Sequence, residues 1–235
     1  MTSSPSCALL PTRFLFALAL AAGAAIPAHA QITWTNYTSG SGLGTNTLNA
    51  VYAIGSTIYV ATDVSGLKVS TNAGATWISY TTASGLGDNV VPGVYAAGST
   101  IYAATYGGGL SISANSGTSW TTYSVGSGLG SGFLFDVYAV GSTIYAATAG
   151  GLSISADNGA NWINYTSGSG LAGTFVPDVY VDGGTIYAAT LGGLSVGVPA
   201  APIPEIDPAG FGSVAALVSG ALGLIERRRL KPKAA

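Results

Sequence analysis

The chain has 235 residues, of which 48% are hydrophobic and only 7% are charged, and it contains 35 glycines and 13 tyrosines. This composition is typical of a β-rich extracellular protein rather than a helical cytosolic one. The seven Lys and Arg residues lie almost entirely at the two ends, and Lys68 is the single cation in the middle of the chain. The body is therefore mildly acidic and lacks the basic stripe that a phosphate backbone requires, which excludes nucleic acid as a partner.

The first thirty residues have the features of an export signal. Arg13 precedes an apolar run over residues 14–25, and small residues precede a cleavage site that we expect after Ala30. We therefore predict a signal peptide over residues 1–30. Cys7 lies before the apolar run, so cleavage would remove the one cysteine of the chain. The exported domain would then be held together by its core without disulfides, and it is long enough for that.

An internal repeat follows the signal. It is marked by four tryptophans that are 43, 43 and 42 residues apart, Trp34, Trp77, Trp120 and Trp162. Each tryptophan is followed by a strand pattern such as "VYAAGSTIYAATYGGGLSIS", in which glycine-rich turns separate short β-rich segments. Four strands in 42 or 43 residues is the period of a β-propeller blade. A solenoid and a sandwich are the alternatives.

The ends of the repeat region favour a closed ring. The region opens with a lone fourth strand, "ITWTNYT", and its last repeat has three strands without a tryptophan. We predict an all-β domain over residues 31–198, a small propeller of about four four-stranded blades that the strand of Trp34 closes by completing the last blade. Four blades is the low end of the usual range, so pairing of two chains into a larger ring is the alternative.

The turn before each later tryptophan carries a repeated motif. The stretch "SADNGANW" resembles the Asp-box, Ser/Thr-x-Asp-x-Gly-x-x-Trp, of sialidase-type and sortilin-type propellers, and "STNAGATW" and "SANSGTSW" match it with Asn in place of Asp. The repeats are also similar to those in sensor domains of two-component regulators. The resemblance implies a structural motif, and the chemistry agrees, because Asp or Asn accepts N–H bonds within a turn and Trp is buried between blades. The predicted box residues are Ser70, Asn72, Gly74, Trp77, Ser113, Asn115, Gly117, Trp120, Ser155, Asp157, Gly159 and Trp162.

The residue inventory argues against an enzyme. Sialidases hold their substrate carboxylate with arginines, whereas the repeats contain no Arg, Glu or His. General acid–base chemistry would fall to aspartates, and a catalytic carboxylate could not become an amide in two of three boxes. We predict no catalytic residue, and a carbohydrate-active enzyme is the weakest alternative. We expect Lys68 to be a solvated turn residue rather than a Schiff-base lysine.

The loops that join each fourth strand to the next blade are the predicted ligand surface. Phe133, Phe135 and Phe175 would stack on sugar rings or anchor a protein partner, unless they fold inward and cap the core. Asp136 and Asp178 stand at equivalent positions before two strand valines and would belong to a sugar or calcium site, unless they are solvated strand-entry residues. We expect no cofactor or metal other than that calcium.

The C-terminal region has a different composition. Residues 199–208 form a proline-rich linker, and residues 209–235 contain an apolar run followed by "ERRRLKPK". A helix over residues 209–225 would be about 25 Å long, barely a membrane span, with its trailing cations on the cytoplasmic side. This tail resembles the PEP-CTERM sorting signal, whose motif Pro204 and Glu205 match at its start, although two residues intervene before Pro208. The resemblance implies transient anchoring in the inner membrane of a Gram-negative bacterium and processing there by an exosortase-type sorting protease. A permanent single-span anchor is the alternative.

These observations together predict an exported, non-catalytic binding or matrix propeller at the cell surface. Its abundant uncharged polar side chains would suit contact with exopolysaccharide or with surface proteins. A ligand-sensing module is the second hypothesis, which is weakened because no kinase or DNA-binding segment follows the repeats.

Overall fold

The computed structural model describes residues 32–199, which form fifteen strands and four single-turn 3-10 helices. The strands are β1 (Leu48–Ile54), β2 (Thr57–Thr62), β3 (Leu67–Ser70), β4 (Ile78–Tyr80), β5 (Gly93–Ala97), β6 (Thr100–Thr105), β7 (Gly109–Ser113), β8 (Thr121–Tyr123), β9 (Leu134–Val140), β10 (Thr143–Thr148), β11 (Gly151–Ser155), β12 (Ile163–Tyr165), β13 (Asp178–Asp182), β14 (Thr185–Thr190) and β15 (Gly193–Gly197). The 3-10 helices are Ser39–Ser41, Thr82–Ser84, Val125–Ser127 and Ser167–Ser169. The predicted signal peptide, its cleavage site, the sorting motif and the C-terminal helix lie outside the described residues.

The strands form four antiparallel sheets, one for each repeat. Strands β1–β4, β5–β8 and β9–β12 form three four-stranded sheets, each in sequence order, and β13–β15 form a three-stranded sheet. We call these sheets blades 1 to 4. The predicted all-β fold of four blades is confirmed, and the hairpins inside each blade connect neighbouring strands as their short Gly-containing turns require.

The strand predicted around Trp34 is not formed in the described residues. Residues 32–36 contain no strand, and Trp34 is 79% exposed. Among the described residues, blade 4 has three strands, β13–β15. In a closed ring blades 1 and 4 would pack against each other. The flank of blade 1 at Val51 and the flank of blade 4 at Leu194 are both exposed.

The core lies between successive blades. Tyr59, Ala61 and Leu67 of blade 1 pack on Val94 and Ala96 of blade 2, and the same positions recur in the two following interfaces. Apolar residues on both faces of β6 and β10 are buried because each of these strands lies between two neighbouring blades. The hydrophobic effect therefore holds each blade to its neighbours along the chain.

The first strands of the four blades, β1, β5, β9 and β13, lie side by side. Their tyrosines form a row in which Tyr95 stands 5.0 Å from Tyr52 and 4.7 Å from Tyr138, and Tyr138 stands 5.4 Å from Tyr180. These centroid distances are those of favourable aromatic pairs. The row fixes the strand entries of adjacent blades next to one another, which positions the candidate site.

Candidate binding site

Each predicted box folds into a turn between the third and fourth strands of blades 1 to 3. In the third box the Ser155 hydroxyl accepts a hydrogen bond from the Gly159 N–H at 2.8 Å and donates to Oδ1 of Asp157 at 2.8 Å. The backbone N–H of Asn161 donates to the same Oδ1 at 2.8 Å, and its Nδ2 donates to Oδ2 at 2.7 Å. Bonds from Asn161 and then from Ser155 lower the pKa of the Asp157 carboxyl. The carboxylate is therefore engaged by its own turn.

The two boxes with asparagine make the same turn. Oδ1 of Asn72 accepts the N–H of Thr76 at 2.9 Å, and Oδ1 of Asn115 accepts the N–H of Ser119 at 2.9 Å. The amide group adds a bond of its own, from Nδ2 of Asn72 to the Thr76 hydroxyl at 2.9 Å. An acceptor oxygen, not a negative charge, is what the turn requires.

The boxes also join consecutive blades through a tyrosine that the sequence interpretation missed. The Tyr80 hydroxyl donates to the carbonyl of Ser116 at 3.2 Å, and its ring packs edge-on against Trp120 at 5.4 Å. A Cβ on Gly117, whose φ is +91°, would collide with the Tyr80 ring. The tyrosine three residues after each tryptophan was the sequence feature that could have revealed this contact.

Three predicted ligand residues come together with a fourth aromatic on one face of blades 2 to 4. Phe135 and Phe175 lie 4.6 Å apart, and Tyr106 lies 5.1 Å from Phe133 and 5.9 Å from Phe135. Phe133 is 48% exposed and Tyr106 is 47% exposed, whereas Phe135 and Phe175 are half-buried. We call Tyr106, Phe133, Phe135 and Phe175 the aromatic row.

Tyr106 was not predicted because it lies in a different loop from the phenylalanines. It follows β6 in the turn "TYGGGL", and an isolated β-bridge to Phe133 brings it to the row. The equivalent turns carry Asp63, Ala149 and Leu191, so an unusual residue at a repeat position was the available signal.

Beside the aromatic row, the predicted aspartates form a pair across two blades. Asp136 lies in β9, and Asp178 is the exposed first residue of β13. Burial, and then a hydrogen bond with the Asp178 side chain, raise the pKa of Asp136 to about 7. The N–H of Val179 donates to Oδ2 of Asp136 at 3.4 Å. The Asp136 carboxyl therefore keeps its proton up to near neutral pH.

This pair offers little to a metal ion. Calcium takes about six to eight oxygen ligands. In the part of the chain that the structure describes, no three His, Cys, Asp or Glu side chains are grouped to hold a metal. The proton that Asp136 retains near neutral pH also reduces the negative charge that attracts a cation. Hydrogen bonding to a neutral ligand suits this pair better.

The expectation for Lys68 was wrong. It lies in β3, is only 5% exposed, and its Nζ donates to the Ser79 hydroxyl on β4 at 2.7 Å. Burial lowers its pKa. Lys68 is buried because its position in the strand register faces the fourth strand. Ser111 and Ser153 occupy the equivalent positions in blades 2 and 3, and each also bonds a side chain of the fourth strand.

No family model and no curated protein matches the chain. Among solved structures, the extracellular domain of the hybrid two-component system BT3049 from B. thetaiotaomicron superposes with a TM-score of 0.57 at 22% identity, covering 72% of this chain and 23% of that one. The corresponding domain of BT4673 from the same organism gives 0.55 at 16% identity, with 68% and 22% covered. An ancestral GH74 enzyme gives 0.50 at 23% identity, with 66% and 24% covered. The fold is that of a β-propeller.

The propeller formed here spans about a quarter of the length of each of those three chains, which cover 23%, 22% and 24%. Similarity at this level of identity establishes the fold of the blades and nothing of their ligands. Within residues 32–199, none of the helices is long and apolar enough to serve as a membrane span.

Proposed function

We propose that this propeller is an exported, non-catalytic binding protein whose aromatic row contacts polysaccharide at the cell surface. The observation that carries the proposal is the row itself, in which four aromatic rings from blades 2 to 4 follow one another with each ring less than 6 Å from the next. Aromatic faces pack against the apolar faces of sugar rings, and a row of them matches a repeating polymer better than a compact ligand. The neighbouring Asp136 and Asp178 would accept and donate hydrogen bonds to sugar hydroxyls.

Export is supported from two directions. Residues 1–30 have the composition of a signal peptide, and two of the matched propellers are described as extracellular domains. The C-terminal tail would anchor the chain transiently in the inner membrane until an exosortase-type protease cleaves near Pro204 and Glu205. Mass spectrometry of the exported protein tests this step, because retention of residues 209–225 would exclude cleavage at the motif.

A binding role fits the chemistry of the row better than catalysis does. The carboxyl groups beside it belong to one hydrogen-bonded pair, and residues 32–199 contain no Glu, His or Arg that could act with them. Glycoside hydrolysis needs two separated carboxyl groups on opposite sides of the scissile bond. The Asp136–Asp178 pair does not offer that arrangement.

Glycan-array binding of the full chain tests the proposal. We expect the variant Tyr106→Ala/Phe133→Ala to bind its best polymer about 5- to 150-fold more weakly, since each ring contributes about 0.5–1.5 kcal/mol of stacking. Val64→Ala is the matched control, because Val64 is also an exposed apolar residue, at 61% exposure, and lies in the β2–β3 turn of blade 1, which contributes no ring to the aromatic row. Unchanged binding by the folded double variant would refute the role of the row. Sugar release that Asp136→Asn abolishes would refute the non-catalytic assignment.

Ligand sensing is a second candidate function, favoured by the likeness to extracellular domains of two-component systems. The two candidate functions predict a different dependence of affinity on the length of the saccharide. A sensor would bind a mono- or disaccharide as tightly per mole as the polymer. A matrix protein would lose affinity as the chain of sugars becomes shorter than the aromatic row. Titration calorimetry with oligosaccharides of increasing length separates them.

A further inference from the structure

The outer edge of blade 4 is incomplete. In blades 1 to 3 the third strand pairs with a fourth, whereas β15 has no outer partner among residues 32–199. A groove of about 800 Å³ lies along this edge between blades 3 and 4, and Leu194, Ser195 and Val196 of β15 line it. An unpaired strand edge above an apolar groove is a template for an added strand.

The shape of the groove shows which side chain it lacks. Gly170 lines the groove, and a Cβ placed there would meet no atom within 4 Å. A Cβ at the equivalent glycine of each earlier repeat would touch a tryptophan at 3.3 to 3.5 Å, namely Gly42 with Trp77, Gly85 with Trp120 and Gly128 with Trp162. The groove is therefore the place of a fourth strand and its tryptophan.

The chain contains one segment with that sequence outside the four sheets. Residues 34–43 read "WTNYTSGSGL", and residues 162–171 read "WINYTSGSGL", so nine of the ten positions are identical. The second stretch contains β12, the fourth strand of blade 3. Trp34 is 79% exposed and lies in no strand. The first stretch thus has the sequence of a fourth strand without the sheet.

A hydrogen bond defines the register that this segment would adopt on β15. In blade 3 the Ser153 hydroxyl accepts the N–H of Gly130 at 3.1 Å and donates to Oδ1 of Asn164 at 2.6 Å. The Ser195 hydroxyl accepts the N–H of Ala172 at 2.8 Å in the same way, and among the described residues its proton has no acceptor. The repeat register places Asn36 opposite Ser195, which restores the Ser–Asn pair of blade 3.

The exposed flanks of blades 1 and 4 indicate where the strand comes from. Val51 on blade 1 is 69% exposed, although the equivalent valines of the other blades are at most 7% exposed. Leu194 on blade 4 is 65% exposed, although its equivalents are at most 3% exposed. The two flanks of one chain thus remain apart, yet they are the two halves of an interface that the chain already forms three times.

We propose that the open edge and flank of blade 4 accept blade 1 and residues 34–37 of a second copy of this chain. The Tyr37 hydroxyl donates a hydrogen bond to the Ala73 carbonyl of blade 1 at 2.8 Å. Tyr80, the last residue of β4 in blade 1, makes the equivalent bond to blade 2. Residues 34–37 therefore correspond to the fourth strand of a blade that precedes blade 1. That blade is blade 4 of the other copy. The contact is head-to-tail, and two copies that exchange strands close a ring of eight blades, within the range of about four to eight that propellers show.

Disulfide cross-linking tests the exchange directly. The full chain, extracted in mild detergent, carries Cys7→Ala together with Asn36→Cys and Ser195→Cys. Directly opposed residues of antiparallel strands have Cα atoms about 4.5–5.5 Å apart, which a disulfide can bridge. We expect a covalent two-chain product after mild oxidation. An internally linked single chain would show self-closure instead, and it or the absence of any link would overturn the proposal.

Two further measurements remove ambiguity. Co-expressed chains that carry Asn36→Cys and Ser195→Cys separately can link only between copies, whereas the control pair Asn36→Cys and Ser153→Cys should not link, because β12 already covers Ser153. In analytical ultracentrifugation the unmodified chain should have the mass of two copies and Val51→Asp the mass of one. Val125→Asp, at another exposed valine, should leave the mass doubled. A single-copy mass for the unmodified chain across micromolar concentrations would also overturn the proposal.

Discussion

The pKa of Asp136 predicts an unusual pH dependence of stability. Burial and the hydrogen bond with Asp178 raise this pKa from 3.8 to about 7. The folded chain therefore retains a proton that the unfolded chain has already released above pH 4. Between about pH 4 and pH 7 the folded state binds more protons, so the free energy of unfolding falls as the pH rises through this window. Above about pH 7 the carboxyl is ionised in both states and the dependence ends.

The magnitude follows from the interval between the two pKa values. For a fully buried group, the interval from 3.8 to about 7 corresponds to about 4 kcal/mol. Asp136 retains some solvent contact, which screens its charge, so we expect a loss of about 1–2 kcal/mol between pH 4.5 and pH 7.5. Asp157 acts in the opposite sense, because its lowered pKa makes stability fall at acid pH, and the window therefore starts at pH 4.5.

Urea unfolding at a series of pH values measures the effect. Asp136→Asn keeps an acceptor for the Val179 N–H and removes the titrating proton, so its unfolding free energy should be nearly constant over the window. Asp182→Asn, at the exposed far end of β13, is the matched control and should keep the slope of the unmodified chain. A flat profile for the unmodified chain, or an unchanged slope in Asp136→Asn, would refute the argument from the raised pKa of Asp136.

Three further predictions concern the scaffold and are measured by urea unfolding. Ala73 has a φ of +54°, so Ala73→Asn should stabilise the chain by about 0.5 kcal/mol, because asparagine tolerates this conformation; a loss of stability would contradict the strain argument. Ser155→Ala removes the acceptor of a buried N–H and should cost about 1–3 kcal/mol, and a cost near zero would mean that the box does not hold its turn. Leu110→Ala, at a fully buried position, should cost about 2–5 kcal/mol, whereas Leu191→Ala, at 78% exposure, should change stability by less than about 0.5 kcal/mol. Equal costs at the two leucines would contradict the proposed core.

The blades were predictable because their determinants are local. Alternating β-branched and aromatic residues, glycine turns and the spacing of the tryptophans each act within one repeat of 42 or 43 residues. The turn chemistry of the boxes is local too, since Asp157 bonds only residues within four positions of itself in the chain. Four blades and their internal strand order follow from such patterns.

Features that depend on the arrangement of blades were not predictable in this way. Ring closure requires β15 to meet a segment more than 150 residues earlier, and no local pattern encodes that distance. Lys68 looked like a turn residue, but strand register buries it against Ser79. The aromatic row was found in part, because its phenylalanines share a loop position, whereas Tyr106 joins them from the turn after β6.

Interchangeable blade contacts have an evolutionary consequence. The same apolar positions meet at each of the three boundaries between blades. The hydroxyls of Tyr37, Tyr80 and Tyr123 each donate a hydrogen bond to a backbone carbonyl of the next box. Unequal recombination between such similar coding stretches would insert or delete a whole blade. The blades brought together would already have complementary contact surfaces. The number of blades can therefore change in single genetic steps, because each added blade presents the same contact surfaces to its neighbours.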